Sequence, residues 1–205
     1  MSPMNPSIAA KEPQAGIDLL RIVRINEEIK AVVGVAFKIN IMALNAIFLA
    51  KRAGTAALGF GVLSNELRTF SQDLRSCMGA LTVLIHRCVT EVSVVLQDIR
   101  KTRLLSEAVS LSALSKLNPV VVRRERENIE HQERLAALRR QLLRALDDAF
   151  QLVELGGVLA KSAKIEAAYG QSFAASLAQV SGEFDGVVEE IRNSLLALRH
   201  SEFFK

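Results

Sequence analysis

The chain has 205 residues, of which 50% are hydrophobic, and a formal net charge of +4 at pH 7. A charge this small for the length gives no general attraction to nucleic acid or anionic lipid, so composition favours neither as a partner. Trp is absent, Tyr occurs once and Pro four times, a composition that favours long helices over strands and tight turns.

The N-terminal stretch, residues 1–16, is predicted to be a flexible leader, because it lacks the basic segment and apolar core of a signal peptide. A first helix is predicted from about Ile17 to Ala53. Its apolar residues recur at spacings of three and four, the pattern of a coiled-coil helix. This seam shrinks from Ile and Val to Ala along the chain and consists of Ile22, Ile25, Ile29, Val32, Ala36, Ile39, Ala43, Ala46, Ala50 and Ala53.

Part of this helix has the length of a membrane span. The window 31–50 matches the roughly 20 residues that cross a bilayer, but Lys38, Asn40 and Asn45 lie inside it. A Lys near the centre of a span costs about 3 kcal/mol on insertion scales. We therefore expect no membrane span, and a soluble, cytoplasmic protein.

A second helix is predicted to begin near Phe60, after a turn that Gly54 and Gly59 bracket. Cys77 and Cys88 both fall on its seam, which predicts buried, reduced thiols typical of the cytoplasm. The predicted seam is Leu63, Leu67, Phe70, Leu74, Cys77, Leu81, Leu84 and Cys88, continued after a one-residue shift by Val92, Val95 and Ile99.

Several serines and the Asn118-Pro119 pair predict a linker over residues 104–119. A third helix is predicted from about Val120 to Tyr169, and a fourth from Phe173 to about Arg199. The third carries the seam Leu135, Leu142, Leu146, Ala149, Val153, Gly156, Ala160 and Ala163, and the fourth carries Phe173, Leu177, Val180, Phe184, Val187, Ile191 and Leu198.

The two halves of the chain show an internal similarity. A shift of 110 residues places the Leu-Ala-Lys-x-Ala motif at 49–53 on the same motif at 159–163, and the seam of the second helix on that of the fourth. We therefore predict a helical hairpin over 17–103 and a second hairpin over 120–205, and we interpret the second as a degenerate repeat of the first. The turns near 56 and 171 should then lie at the same end.

A longer pattern occupies residues 36–68, AFKINIMALNAIFLAKRAGTAALGFGVLSNELR. Its segments AF-x-x-N-I-x-ALNA, R-A-G, GF-x-V and E-x-R resemble, without a gap, the signalling tip of bacterial chemoreceptors, the methyl-accepting chemotaxis proteins. In that family, hairpins from two chains form an antiparallel four-helix bundle. The resemblance implies an all-α fold, an antiparallel four-helix bundle of coiled-coil hairpins, with both hairpins supplied here by one chain.

The resemblance also implies protein binding without chemistry, in a soluble chemoreceptor-like signal-transduction protein. In the family, the tip packs receptor dimers into trimers and holds a histidine kinase and its coupling adaptor. Other chemoreceptors, the kinase and the adaptor are therefore the expected partners, and a homo-oligomer is an open alternative. The expected partner-binding residues are Phe37, Ile41, Met42 and Arg52 at trimer-contact positions, Asn45, Leu49 and Gly54 at the tip, and Phe60, Val62, Glu66 and Arg68 where the adaptor docks.

This sequence departs from the family at charged positions. Leu49 and Thr55 stand where the family has acidic residues, and Lys51 stands where it has a small one. Ala57 and Leu58 stand where the family has a Gly-Arg pair. Loss of rim charges weakens steering and selectivity, whereas the apolar centre of an interface carries the affinity. The alternative is therefore a stand-alone helical interaction or structural protein that has lost the array role.

Individual residues also have a purely structural interpretation. Phe37, Ile41 and Met42 fit the core of a larger bundle, and Asn45 fits a satisfied core polar group that sets register. Arg52 fits a solvated position near a helix C-terminus, where its charge complements the dipole. Solvent exposure of the first three residues distinguishes docking from core packing.

Catalytic and metal chemistry have little support in the sequence. His86, His131 and His200 are scattered, and neither metal-ligand spacing nor a phosphate loop occurs. We expect no enzyme activity, no cofactor and no metal. Glutamates interleave with a set of arginines that lacks base-stacking aromatic residues, so a solvated helix face is favoured over a nucleic-acid site. These arginines are Arg123, Arg124, Arg126, Arg134, Arg139, Arg140 and Arg144.

Overall fold

The structure, a computed structural model, describes the backbone of residues 6–112 and 118–204 and the side chains of residues 14–109 and 119–204. Within these ranges every element is helical and none is a strand, which confirms the predicted all-α fold. The elements are α1 (Pro6–Ala53), a 3₁₀ turn (Gly54–Ala57), α2 (Leu58–Ser112), α3 (Asn118–Ala167), a 3₁₀ turn (Gln171–Phe173), α4 (Ala174–Arg199) and a last 3₁₀ turn (Glu202–Phe204).

The helix boundaries agree with the sequence except at two ends. α1 begins at Pro6 rather than near Ile17; proline suits a first helical residue, because the N–H that it lacks has no partner there. α2 continues into the predicted linker as far as Ser112, and residues 113–117 lie outside the described residues. The boundaries of the leader, the linker and the hairpins remain predictions.

The chain divides into two compact units, and each takes segments from both predicted hairpins. The first unit is Met1–Asn26, Val83–Leu142 and Ser201–Lys205, and the second unit is Glu27–Thr82 and Leu143–His200.

In the second unit, α2 and α3 run antiparallel. The Phe70 ring lies against Gly156, where a Cβ would be 2.5 Å from the ring Cζ. Two turns further along α2, the Cys77 Sγ lies 4.0 Å from the carbonyl oxygen of Ala145. Residue numbers therefore decrease along α3 in the direction in which they increase along α2, so the two helices are antiparallel.

α3 and α4 are also antiparallel, because two contacts between them pair higher residue numbers in α4 with lower ones in α3. Arg192 Nε lies 2.8 Å from Glu154 Oε1, and Arg199 Nε lies 3.1 Å from Asp147 Oδ1. The helical segments of this unit thus alternate in direction along the chain.

The two turns of the second unit lie at one end. The carboxylate of Glu166, near the end of α3, lies directly against Gly59, near the start of α2. The turn Gly54–Ala57 is therefore close to the turn that follows α3. The repeat hypothesis requires this placement, although the repeat itself remains a prediction.

The predicted seams of α1 and α3 form the core. All their residues are buried except Ala53, which is half-buried. Near the first turn, a Cβ on Gly61 would lie 3.5 Å from the Cβ of Ala50, so α1 and α2 approach closely there. Small residues make this approach sterically allowed.

The predicted seam of α2 is partly wrong. Leu63, Cys77 and Leu84 are only half-buried, whereas Ser64 and Ser71 are fully buried. Ser64 Oγ donates a 2.7 Å hydrogen bond to the Phe60 carbonyl, which satisfies the hydroxyl inside the core. The buried row keeps its spacing of four and three with no one-residue shift: Phe60, Ser64, Leu67, Ser71, Leu74, Met78, Leu81, Ile85, Cys88, Val92, Val95, Ile99 and Thr102.

The first unit is held by a polar contact between α1 and α3. Asp18 of α1 is only 6% exposed, and its carboxylate accepts a short hydrogen bond from Arg139 of α3. The Arg139 guanidinium also lies 4.5 Å from the centroid of the buried Phe203 ring. The segment after α4 is therefore packed onto this ion pair.

Both cysteines are free, Cys88 buried and Cys77 half-buried. Burial raises the pKa of the Cys88 thiol to about 11, against the opposing effect of the Arg139 and Arg87 charges. Burial, with the Asp148 charge, also raises the pKa of Cys77. Only the thiolate is nucleophilic, so both thiols should be poorly reactive near neutral pH.

We expect Cys88 in the native protein to react with iodoacetamide at pH 8 at least about tenfold more slowly than in urea, because a thiol pKa near 11 leaves little thiolate. Mass spectrometry of the alkylated peptides at timed intervals measures both rates. Equal rates in the two conditions would contradict the burial of this thiol.

Candidate functional site

The candidate site is the end of the first hairpin, where α1 turns into α2. Gly54 adopts a φ of 65°, a left-handed conformation that glycine accepts without strain. Lys51 and Arg52 lie in the last turn of α1, where positive charge complements the helix dipole. The sequence signals for a turn at this point therefore have a direct structural counterpart.

The residues predicted to bind partners divide into three groups by their solvent exposure. Met42 is 8% exposed and Phe60 is fully buried, so these two side chains support the tip from inside. Leu49 is half-buried. The exposed residues are Phe37, Ile41, Asn45, Arg52, Gly54, Val62, Glu66 and Arg68.

Exposed apolar side chains form a row along α1. Phe37 is 52%, Ile41 is 41% and Phe48 is 66% exposed, and half-buried Leu44 lies between the last two. These residues, which we call the outer stripe, recur at spacings of four and three, so they share one helix face. That face points away from the buried seam of the same helix.

Phe48 and Leu58 were not among the predicted binding residues. They are 66% and 67% exposed, and Leu58 is the first residue of α2. The sequence signal was present, because Phe48 continues the apolar spacing of Phe37 and Ile41. It was not decisive, since several faces of this helix are apolar.

A groove of about 340 Å³ separates α1 from α2 at the tip. Its small residues are Ala50, Gly54, Ala57 and Gly61, and it is also lined by Ile47, Lys51, Leu58, Val62 and Asn65. The absence of large side chains at the four small positions is what keeps this space open.

The charged residues of the first hairpin between Glu28 and Glu66 are all positive, and the acidic Glu166 of α3 lies against Gly59. No acidic residue occurs in the sequence between Glu28 and Glu66. Lys38, Lys51 and Arg52 are exposed, and among the described residues none of the three has an ion-pair partner. The outer stripe and the groove are therefore bordered by uncompensated basic groups.

Solvent exposure decides between docking and core packing for Asn45 and for the set Phe37, Ile41 and Met42. It does not decide between the two interpretations of Arg52. Asn45 is exposed, so it is not a core polar group. Arg52 is solvated in the last turn of α1, a position that suits both the dipole and a partner contact. Phe37 and Ile41 lie outside the core, whereas Met42 belongs to it.

One histidine and two arginines of the first unit, His131, Arg123 and Arg124, make contacts within that unit. His131 Nδ1 lies 2.6 Å from Glu91 Oε1, and Arg124 Nη1 lies 3.3 Å from Glu127 Oε2. The Arg123 side chain donates to Glu127 and lowers the pKa of that carboxyl group. In the part of the chain that the structure describes, no cluster of three metal-ligating side chains occurs.

One apolar window is relevant to membranes. The helical stretch Gln14–Val109 contains a window that is long and apolar enough, by length and composition, to cross a bilayer, and 33% of that window is buried. Core helices of globular proteins pass the same test, so composition alone assigns no membrane span.

Part of the chain is similar to methyl-accepting chemotaxis proteins. It is 39% identical over 59 residues to the methyl-accepting chemotaxis citrate transducer of Salmonella typhimurium (strain LT2), which covers 29% of this chain and 11% of that relative. It is 37% identical over 71 residues to methyl-accepting chemotaxis protein I of Escherichia coli (strain K12), which covers 35% of this chain and 13% of that relative. The chain thus matches only a small part of these relatives' length.

No protein-family model matches the chain, and no solved structure matches it. The partial similarity to the two chemotaxis proteins supports a chemoreceptor-like region in this chain.

Proposed function

We propose that this protein is a cytoplasmic, receptor-like component of a chemosensory array, which docks through its first hairpin tip onto chemoreceptors, the histidine kinase or the coupling adaptor. The observation that carries the proposal is the outer stripe: Phe37 and Ile41 stand at trimer-contact positions of the resembling family, and both are exposed. The role is binding, with no catalytic step.

The composition of the tip supports a protein contact. Single exposed apolar residues are ordinary on protein surfaces, but contiguous apolar patches bordered by polar groups mark interaction sites. The outer stripe has an apolar centre, with Asn45 and Arg52 exposed beside it. Buried Met42 and Phe60 lie beneath the tip surface and stiffen it.

The exposed apolar side chains of the tip cannot easily be buried by the protein itself. The inner seam of α1 is already packed with small residues, including fully buried Ala43 and Ala46. Exposed Phe37 and Phe48 cannot join that seam without rotating the whole helix, which would expose its Ile and Val residues. Binding of a second protein is the simplest way to bury Phe37 and Phe48.

The test is direct capture by purified components. We expect immobilised wild-type protein to retain the purified coupling adaptor, kinase or receptor signalling domain of its host, and Phe37→Ala or Ile41→Ala to lower retention at least about fivefold, since apolar anchors carry most interface energy. Circular dichroism should show unchanged helicity, because both side chains are exposed.

Val158→Ala is the matched control. Val158 is 60% exposed on α3 in the same unit, so the substitution removes a similar apolar surface away from the tip. Retention that falls equally in Val158→Ala, or that is undiminished in both tip variants, would contradict docking through the outer stripe. A wild-type protein that retains none of the components would favour the stand-alone interaction protein.

A further inference from the structure

We infer that the tip groove selects an acidic, amphipathic helix of its partner protein. This inference rests on the proposed function and assigns the chemistry of the partner segment. It follows from the coincidence of three features at one place: the groove between α1 and α2, the outer stripe beside it, and the uncompensated basic border.

The groove is suited to a discrete side chain. Its small residues Ala50, Ala57 and Gly61 leave about 340 Å³ between apolar Ile47, Leu58 and Val62. Apolar anchors at spacings of three and four on a partner helix enter grooves of this kind. A lipid surface, by contrast, gains little from a groove, because it covers convex ridges.

The border of the groove defines the charge of the partner. Lys51 lines the groove, and Arg52 is the next residue in the last turn of α1. Both are exposed, and the nearest acidic residues in sequence are Glu28 and Glu66. Lys51 and Arg52 repel a basic segment, whereas glutamates or aspartates on the partner find charge complements in these two residues. Glu166 lies against Gly59 on the α2 side of the groove, so the preference for an acidic partner depends on Lys51 and Arg52.

The same reasoning explains the departures from the resembling family. Leu49 and Thr55 replace acidic residues of that family, and Lys51 adds a positive charge. Leu58, which replaces an arginine of the family, acts in the opposite direction; the four changes together still make the tip more basic. The apolar contacts are kept while the charge of the favoured partner is shifted, which changes specificity more than affinity.

Two synthetic helical peptides test the inference. One carries Leu at every third or fourth position with Glu on both flanks, and the other has Lys in place of each Glu; both are labelled with fluorescein. We expect the Glu peptide to bind wild-type protein at least about tenfold more tightly than the Lys peptide by fluorescence anisotropy, and the difference to shrink between about 50 and about 300 mM salt.

Charge reversal at the tip provides the decisive variant. Lys51→Glu with Arg52→Glu should abolish or reverse the preference for the Glu peptide. Arg75→Glu with Arg144→Glu is the matched control, because both are exposed basic residues of the second unit. They lie close in sequence to Cys77 and Ala145, which contact each other beyond the groove-lining part of α2. This double variant reverses the same number of charges, and it should leave the preference unchanged. Melting curves monitor the fold of all variants.

Equal affinity for the two peptides, a preference that survives the tip reversal, or binding to phosphatidylglycerol vesicles in place of the Glu peptide would overturn the inference. The outcome is separable from that of the proposed function. If array proteins are retained through Phe37 while neither peptide is preferred, only the acidic-partner inference fails. If the Glu peptide binds through Lys51 and Arg52 while no array protein is retained, only the array role fails.

Discussion

Gly156→Ala is expected to destabilise the second unit by about 2 kcal/mol, although alanine is the better helix former. Gly156 is buried in α3, and a Cβ there would lie 2.5 Å from Cζ of Phe70. The Phe70 side chain is itself only 2% exposed, so its ring has little room to move. Overpacking of this kind costs about 1–3 kcal/mol, which exceeds the gain of about 1 kcal/mol from helix propensity.

Gly79→Ala is the matched control for this prediction. Gly79 lies inside α2 in the same unit, and nothing lies within 4 Å of the position of its Cβ. This substitution should therefore stabilise the protein by up to about 1 kcal/mol. Urea unfolding followed by circular dichroism measures both variants, and adding Phe70→Leu should restore part of the stability lost in Gly156→Ala. A Gly156→Ala protein as stable as Gly79→Ala would disprove the contact between α2 and α3.

The core of α1 and α3 was predictable because its residues are uniformly apolar. In α1, Ile, Val and Ala recur at an unbroken spacing of three and four, and the structure buries that face, although other faces of the helix are also apolar. The core of α2 was not predictable in the same way, because Ser64 and Ser71 occupy core positions. Because these serines interrupt the apolar character of the buried row of α2, the sequence pattern predicts the neighbouring row, which contains Leu63 and Leu84, as the core.

The ends of the helices were predictable only where a turn residue is required. Gly54 adopts a positive φ, and the first turn lies where the glycines indicated. At the start of α1, Pro13 was a signal against helix, but the structure begins the helix at Pro6 and continues it through this residue. Loose composition and helical structure are compatible when a long helix already exists next to the segment.

The candidate site was predictable in location but not in detail. The family resemblance indicated the tip, yet it could not separate Met42 from its neighbour Ile41, because adjacent residues on a helix lie about 100° apart. Only the packing of α1 against the other helices decides that Met42 is buried and Ile41 is exposed. The basic border was visible in the sequence, but its lack of ion-pair partners depends on side-chain positions.

Arg139→Met is expected to cost about 3 kcal/mol, the largest loss among the charged residues considered. It leaves the Asp18 carboxylate, only 6% exposed, with the weaker contacts of Gln14 and Arg21, each 3.3 Å away. Removing one partner of a buried ion pair costs about 3–5 kcal/mol when the remaining charge is uncompensated. The remaining ion pair with Arg21 and the partial exposure of Arg139 favour the lower end. The contact with Phe203 is also weakened.

A double-mutant cycle separates the lost pairing from lost packing. Asp18→Asn combined with Arg139→Met removes the stranded charge, so the double variant should be more stable than the sum of the single losses by about 1–2 kcal/mol. Arg192→Met is the comparison: its partner Glu154 is 47% exposed, and such a surface pair contributes at most about 1 kcal/mol. Urea unfolding midpoints measure all four proteins, and an Arg192→Met loss as large as that of Arg139→Met would contradict the argument.

Asp18 and Arg139 belong to the first unit, whereas the outer stripe belongs to the second. Arg139→Met should therefore still retain array proteins at temperatures where its helicity is intact. This result would separate the stability of the fold from docking at the tip.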